Sequence, residues 1–540
     1  MATERSRGGR HDSAPATESV SRLRGRLFEG VTLGATVFGL AAVAFLLAYV
    51  FNDALRPLSA DPRWHAVFLS TTIAPSLALA WYYYDRDPAA GEVAYATLGV
   101  PVVGLLVGGW LAVLFVEVVT PAEWFAALAG LSVGAGAVLA HRRLRPGAAL
   151  ERLAVLGVGP AAGVVGATAV MRSLPVVPVG WMLLVASVTA PAALAFGRVV
   201  ARRRDDGRGV EETLLASVLV ASIGAVLSPI VGLTAGNWVL LATATLLPTG
   251  AYLEGVLRRG EGLSGLAFPV VVVGGAALGA VVVRSLGFAG PEPWLDWGFL
   301  TSPTSRTPAD AGIYPPLVGS VLMLVVIVVS AFPVGVGAAI YLEEYAPASG
   351  RAGRFVDLVE INIGNLAGVP SVVYGLLGLA LFIRGVGLES GIVVVGGLTV
   401  GLLVLPIVVI SAQEAIRAVP ESRRAASYGM GATKWQTTRN VVLPEALPGI
   451  LTGTILALGR AIGETAPLLM IGAASSVRLA PSGFFAKFSA MPRQLFAWSS
   501  EIKPEFRFGV LAAGVVTLLV VLLVMNGTAI LVRNRYQRSR

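Results

Sequence analysis

Long uninterrupted apolar runs constrain this chain more than any other feature. VTLGATVFGLAAVAFLLAYV occupies 31–50 and FGVLAAGVVTLLVVLLVM occupies 508–525. Each approaches or reaches the ~20 residues that a helix needs to cross a bilayer. Charged residues make up only 14% of the 540, and mean hydropathy is +0.76. A soluble domain carries about a quarter charged residues. The expected fold class is therefore an all-α integral membrane protein that crosses the membrane many times.

The net charge of +9 does not point to nucleic acid. The basic residues gather in short stretches between apolar runs: HRRLRP at 141–146, RVVARRRDDGR at 198–208, LRR at 257–259 and RNRYQRSR at 533–540. That is the positive-inside pattern of a multispanning protein. Zero cysteines exclude disulfides and thiol chemistry. The histidines, His11, His65 and His141, fall in no metal-binding spacing, so no metal site is expected. Residues 1–29 are polar and basic, with no short apolar run ending in a small-residue cleavage site, and are expected to form a disordered cytoplasmic tail.

Apolar runs give about fourteen spans. The first eight are expected at 30–51, 66–84, 94–117, 122–140, 153–171, 180–198, 212–232 and 237–256. Six more are expected at 264–286, 317–340, 359–384, 391–411, 449–474 and 508–532. An N-terminus inside the cell puts every arginine-rich loop, and the C-terminus, on the cytoplasmic side. The expected location is the cell membrane. Residues 30–260 form four hairpins that open near Glu29, Glu92, Glu151 and Glu211, a spacing compatible with duplication of a two-helix unit and equally with ordinary bilayer-length hairpins. No mid-span charge marks a conduit in that half.

The second half, 261–540, is different. It has external loops at 287–316 and 475–507, a cytoplasmic loop at 412–447, and polar residues within spans: Asn362, Asn365, Arg460 and Glu464. The cytoplasmic loop carries Pro420, the helix-compatible run ESRRAASY, then Gly429 and Gly431. Glycine supplies a helix stop. Thr433 followed by Gln436 is a capping box that should start a second helix, which Pro444 is expected to end. Glu343 and Glu344 close a span at the cytoplasmic boundary, where charges are ordinary.

Ala425, Ala426 and Gly431, followed by Val441, Leu443 and Pro444, resemble the EAA loop of ABC importer permeases. The surrounding segments FPVGVGAAIYLEEYAP, INIGNLAGVPSVVYGLLGLALF, LGRAIGETAPLLMIGA and MNGTAILVRNR resemble the PstA family, the A-type permeases of phosphate-specific ABC importers. The resemblance covers about 264–540. It implies a type I (MetI-like) permease domain of six helices whose loop helix docks on a cytoplasmic ATPase. One departure is that the family's loop glutamate aligns with Ala425, so any contact of that carboxylate is absent or comes from a neighbour such as Glu421.

The resemblance further implies the partners. These are a PstC-like second permease, a PstB-like ATPase homodimer and a PstS-like external phosphate-binding protein that meets loops 287–316 and 475–507. No GxxxxGK[ST] loop and no nucleophile–base constellation occurs, so the chain is expected to be a non-catalytic subunit with no bound cofactor, ATP and magnesium belonging to the partner. Another oxyanion, such as sulfate or molybdate, remains an alternative cargo. So does a secondary transporter or sensor that uses the N-terminal half.

Arg460 and Glu464 are four residues apart, so on one helix they meet as a pair. A charge at mid-membrane costs about 2.5–3.5 kcal/mol on insertion scales. The pair either holds helices together or lines an anion route, with Thr465 beside it; arginine's planar fork suits a tetrahedral oxyanion. Asn362 and Asn365 are expected to hydrogen-bond a neighbouring helix, while Gly368, Pro370 and Gly375 favour a broken or closely packed pore helix.

Overall fold

The computed structural model describes residues 22–117, 119–144, 159, 162–170, 173, 180–204, 208–347, 349–475 and 477–538. Among these the secondary structure is helical, with one isolated bridge between Ile392 and Lys487. Twelve helices are long and apolar enough to cross a membrane, or thirteen if one sharply bent pair counts as a span. The expected span at 153–171 is described only at 159 and 162–170, while the opening of its hairpin at Glu151 and most of the expected tail lie outside the described residues. The other thirteen expected spans fall on helices, those at 359–384 and 449–474 each interrupted by a break.

The N-terminal half contributes α1 (Arg22–Leu55), α2 (Pro62–Arg86), α3 (Pro88–Glu117), α4 (Pro121–Leu144), α5 (Gly180–Arg203), α6 (Arg208–Leu227) and α7 (Ala235–Arg259). Helix α1 opens at Arg22, inside the stretch read as a tail. Lipid removes the hydrophobic drive between helices, so small residues that permit close approach do the packing. At Gly104 of α3 a Cβ would lie 2.6 Å from Ala244 O and Thr245 Cα of α7, so those two backbones touch. A buried hydroxyl pair, Thr189 and Thr243 at 2.7 Å, ties α5 to α7.

Helix α8 (Ala267–Leu286) packs on α2 and α3, with Gly275 against the Thr71 carbonyl and Gly279 against Phe68. Then come α9 (Trp297–Thr301), α10 (Tyr314–Ile340), α11 (Gly350–Ala367), α12 (Ser371–Gly378), α13 (Val393–Arg417), α14 (Glu421–Gly429) and α15 (Lys434–Thr437). The chain finishes with α16 (Leu443–Gly463), α17 (Ala466–Met470), α18 (Met491–Ser499) and α19 (Leu511–Arg538).

The main core lies among α10, α13, α16 and α19, around Leu322, Met323, Ile327, Val400, Leu403, Ala461, Ile462, Phe488 and Val510. Gly335 of α10 admits Val408 of α13, whose Cγ1 would be 2.8 Å from an added Cβ. The two halves meet along α1, α3, α10 and α19. Ala54 is buried against Ala512 and Val516, its carbonyl accepts from the Trp294 and Leu295 amides, and Trp110, Val113 and Leu114 of α3 lie on the main core.

Candidate functional site: two broken spans and a cytoplasmic loop

The sequence predicts one unbroken span through Arg460 and Glu464, and the structure corrects this. Helix α16 stops at Gly463, and Glu464 is extended at φ −73°, ψ 122°. The cause is local. Pro467 has no N–H, and its ring would strike the carbonyl four residues back, which belongs to Gly463, a poor helix former. The chain resumes as α17. Across the break Arg460 Nε sits 3.1 Å from Glu464 Oε1, with the arginine side chain 46% exposed and the glutamate 15%. Thr465, half-buried, follows directly, and its carbonyl accepts from the Leu469 amide.

A second break lies beside the first. Helix α11 ends at Ala367, and the chain bends by 108° before the next helical run, Ser371–Gly385. Gly368 and Pro370 form the joint. Tyr374 reaches back to donate to the Leu366 carbonyl at 2.8 Å, which also accepts from the Val369 amide at 3.0 Å. Helix α12 packs directly on α17. A Cβ at Gly375 would stand 2.9 Å from Pro467 Cα and 2.8 Å from Met470 Cβ. The fold thus gathers Arg460, Glu464, Thr465 and Tyr374 at the junction of two helix breaks.

Asn362 and Asn365 occupy an exposed stretch of α11 leading into the break. The expected hydrogen bond to a neighbouring helix does not form at Asn362. Its Nδ2 donates to the Leu358 carbonyl of its own helix at 2.7 Å, on a face left exposed among the described residues.

The cytoplasmic loop forms the expected helix, turn and helix. Pro420 caps α14, and Gly431 turns the chain at φ +81°, where a Cβ would be strained. The capping box is complete: Thr433 Oγ1 accepts from the Gln436 amide at 3.3 Å, and Gln436 Oε1 accepts from the Thr433 amide at 2.8 Å. Pro444 does not end the second helix. A π turn over Thr438–Val442 carries the chain without a break from Lys434 to Gly463. The wider turn moves the carbonyl that the proline ring would otherwise strike. Ala425, Ala426 and Gly431 are exposed with Tyr428, Met430 (89%) and Trp435 (57%). Val441, Leu443 and Pro444 are half-buried where the loop joins α16.

The sequence reading passed over the residues beneath this loop. Glu343 and Glu344 are not free boundary charges. The Glu344 side chain is 4% exposed and pairs with Arg424 of α14, whose Nη2 also donates to the Ile416 carbonyl at 2.8 Å. Glu343 pairs with Arg417 at 2.7 Å and accepts from Gln413 at 3.0 Å. The Gln413 amide also reaches Glu360 of α11 at 3.1 Å. Arg423 of α14 pairs with Glu445 of α16 at 2.8 Å. Partners 22 to 80 positions apart leave no periodic signal. The only hint was an excess of matched charges around one loop.

The family model for binding-protein-dependent transport system inner membrane components matches residues 311–535. That range contains both breaks and the loop. The phosphate transport system permease protein PstA 1 of Mycobacterium tuberculosis is 34% identical over 231 residues, 42% of this chain and 73% of that protein. PstA of Xylella fastidiosa is 32% identical over 246 residues, 45% and 83% respectively. The probable ABC transporter permease protein YqgI of Bacillus subtilis is 35% identical over 186 residues, which span 61% of its length. Among solved structures, an inward-facing MetNI methionine ABC transporter chain aligns at 17% identity and a TM-score of 0.33, covering 40% of this chain and 93% of that one.

Proposed function

We propose that this chain, which belongs to the PstA-type family of binding-protein-dependent transport permeases, is the membrane subunit of an ATP-driven importer of inorganic phosphate. The observation that carries the reading is the Arg460–Glu464 pair at a helix break inside the region matched to that family. A guanidinium can offer two parallel N–H donors to a tetrahedral oxyanion. Glu464 neutralises it at rest and competes with the anion, so that phosphate is attracted without being trapped. Thr465 adds a hydroxyl beside the pair. The exposed stretch with Asn362 and Asn365 forms the approach, which a PstC-like second permease completes from the opposite side.

On the cytoplasmic side, Tyr428, Met430 and Trp435 stand exposed around the Gly431 turn. Such an apolar patch on a charged face fits a protein partner, here a PstB-like ATPase dimer that holds the ATP and magnesium. A PstS-like binding protein would deliver phosphate to the external loops 287–316 and 475–507. Arginine-rich loops and both termini then lie in the cytoplasm. In this reading residues 261–540 are the MetI-like transport unit and residues 30–260 an accessory bundle.

Uptake of labelled phosphate by phosphate-starved cells that lack redundant importers tests the proposal. Uptake should disappear on deletion of the chain, return on its restoration, and ignore excess sulfate or molybdate. Uptake independent of the chain would overturn the cargo assignment, and competition by sulfate or molybdate would transfer it to those oxyanions.

A further inference from the structure

Glu343 and Glu344 are adjacent in sequence, yet their carboxylates serve different helices. Glu344 binds Arg424 of α14, the loop helix. That guanidinium is only 13% exposed and also holds the Ile416 carbonyl in the last turn of α13. Glu343 turns to α13 itself, where Gln413 and Arg417 bind it. Those same two residues reach Glu360 of α11, Gln413 at 3.1 Å and Arg417 at 3.5 Å. Glu360 stands two helical turns before the break at Gly368. Tyr374 crosses that break to Leu366, and α12 rests on α17, next to Glu464.

We propose that Glu343 and Glu344 form a fork that couples the loop helix to the broken span, and hence ATP-driven motion to the Arg460 site; the inference rests on the transporter reading above. Glu344 and Arg424 form the rigid arm. Both are nearly desolvated, and removing one partner would strand the other charge, so α14 does not move without the π turn Tyr341–Tyr345 that continues α10. Glu343, Arg417 and Glu360 form the adjustable arm. Arg417 is tight on Glu343 at 2.7 Å and loose on Glu360 at 3.5 Å. Two carboxylates facing one guanidinium repel each other unless the cation stands between them. A shift of α11 relative to α10 would therefore exchange the tight and the loose contact, giving the two discrete arrangements that a coupling element needs. Arg417 and Glu360 are 50% and 34% exposed, and Glu343, 13% exposed, keeps the Gln413 amide as a donor whichever carboxylate Arg417 favours.

The test uses the whole complex, with its ATPase, in liposomes, reading labelled phosphate transported per ATP hydrolysed. Glu360→Gln should leave the ATPase bound and hydrolysis within about twofold of normal, while the transport ratio falls roughly tenfold; Arg424→Ala, which strands the buried Glu344 carboxylate, should lower the ratio as far and also weaken retention of the ATPase. The double swap Glu344→Arg with Arg424→Glu restores the ion pair but leaves the Ile416 carbonyl without its donor, so it should recover only part of that ratio. Arg424→Lys, which keeps the charge but cannot hold both Glu344 and Ile416 with a planar fork, should fall between. A purely structural role would lower hydrolysis and uptake together at constant ratio, and that result overturns the fork. So does an assembled Glu360→Gln complex with the normal ratio. If the unaltered complex hydrolyses ATP but moves no phosphate, the cargo reading fails instead, and the fork stands or falls on the same ratio measured for sulfate or molybdate.

Discussion

Arg460 Nε lies 3.1 Å from Glu464 Oε1, although the helix that carries the arginine ends one residue before the glutamate. The pair therefore spans a helix break instead of lying along a rod. A rigid helix would keep the two side chains together permanently. Across a break their separation follows the backbone of Glu464, and the transport function proposed above assigns that freedom to covering and presenting the cation.

Reversal of that cation is the sharpest test. Arg460→Glu should reduce phosphate uptake to background while the protein still reaches the membrane and assembles. Arg460→Lys keeps the charge but loses the fork, and uptake should fall about tenfold or more, the scale of one charge-assisted hydrogen bond. Normal uptake by assembled Arg460→Glu would remove the pair from the transport route.

Gly375 should tolerate no larger side chain. A Cβ there would stand 2.9 Å from Pro467 Cα, and a backbone atom cannot swing aside as a side chain can. Gly375→Val should cost about 1–3 kcal/mol by overpacking, seen as a lower melting temperature in detergent. It should also lower uptake, because it pushes apart the two broken spans. Gly429, with nothing near its Cβ position, is the matched control, and Gly429→Ala should melt normally.

The exposed loop patch should matter for assembly and not for folding. Met430 is 89% exposed and Trp435 57%, so neither is needed by the chain alone. Met430→Asp or Trp435→Asp should leave the melting temperature unchanged and reduce the amount of ATPase that co-purifies. An unaltered yield of ATPase would place the docking surface elsewhere.

Removing the N-terminal half gives a graded expectation. A chain that begins near Gly262 should still transport, because both breaks and the loop lie beyond it. It should be less stable, since the seats for α8 on Phe68 and Thr71, and the cover of Trp110 and Leu114 on the main core, are lost. Loss of transport at normal membrane levels would make the first seven helices part of the machinery.

Much of the fold was legible because bilayer thickness sets span length, and a span's apolar run is continuous in sequence. The capping box and the Gly431 turn were legible for the same reason: Thr433 and Gln436 act on each other within one turn. Two local signals misled. The apolar run at 449–474 reads as one span that Gly463 and Pro467 in fact end, and Pro444 read as a stop that the preceding π turn bypasses. Glu343 and Glu344 read as boundary charges because nothing nearby in sequence reveals Arg417 or Arg424.

By itself the sequence determined that the chain crosses a membrane repeatedly as helices, where most of those helices lie, and that Arg460 and Glu464 stand within reach of each other. These follow from hydropathy and helical period, properties of residues a few positions apart. Only the tertiary structure decided that two broken spans press together at Gly375 and Pro467, that Asn362 turns to its own helix, and that Glu343 and Glu344 divide between the loop and the broken span. Those outcomes depend on which helix faces which. In lipid that choice is made by small residues and paired charges distant in the chain, and not by any local pattern.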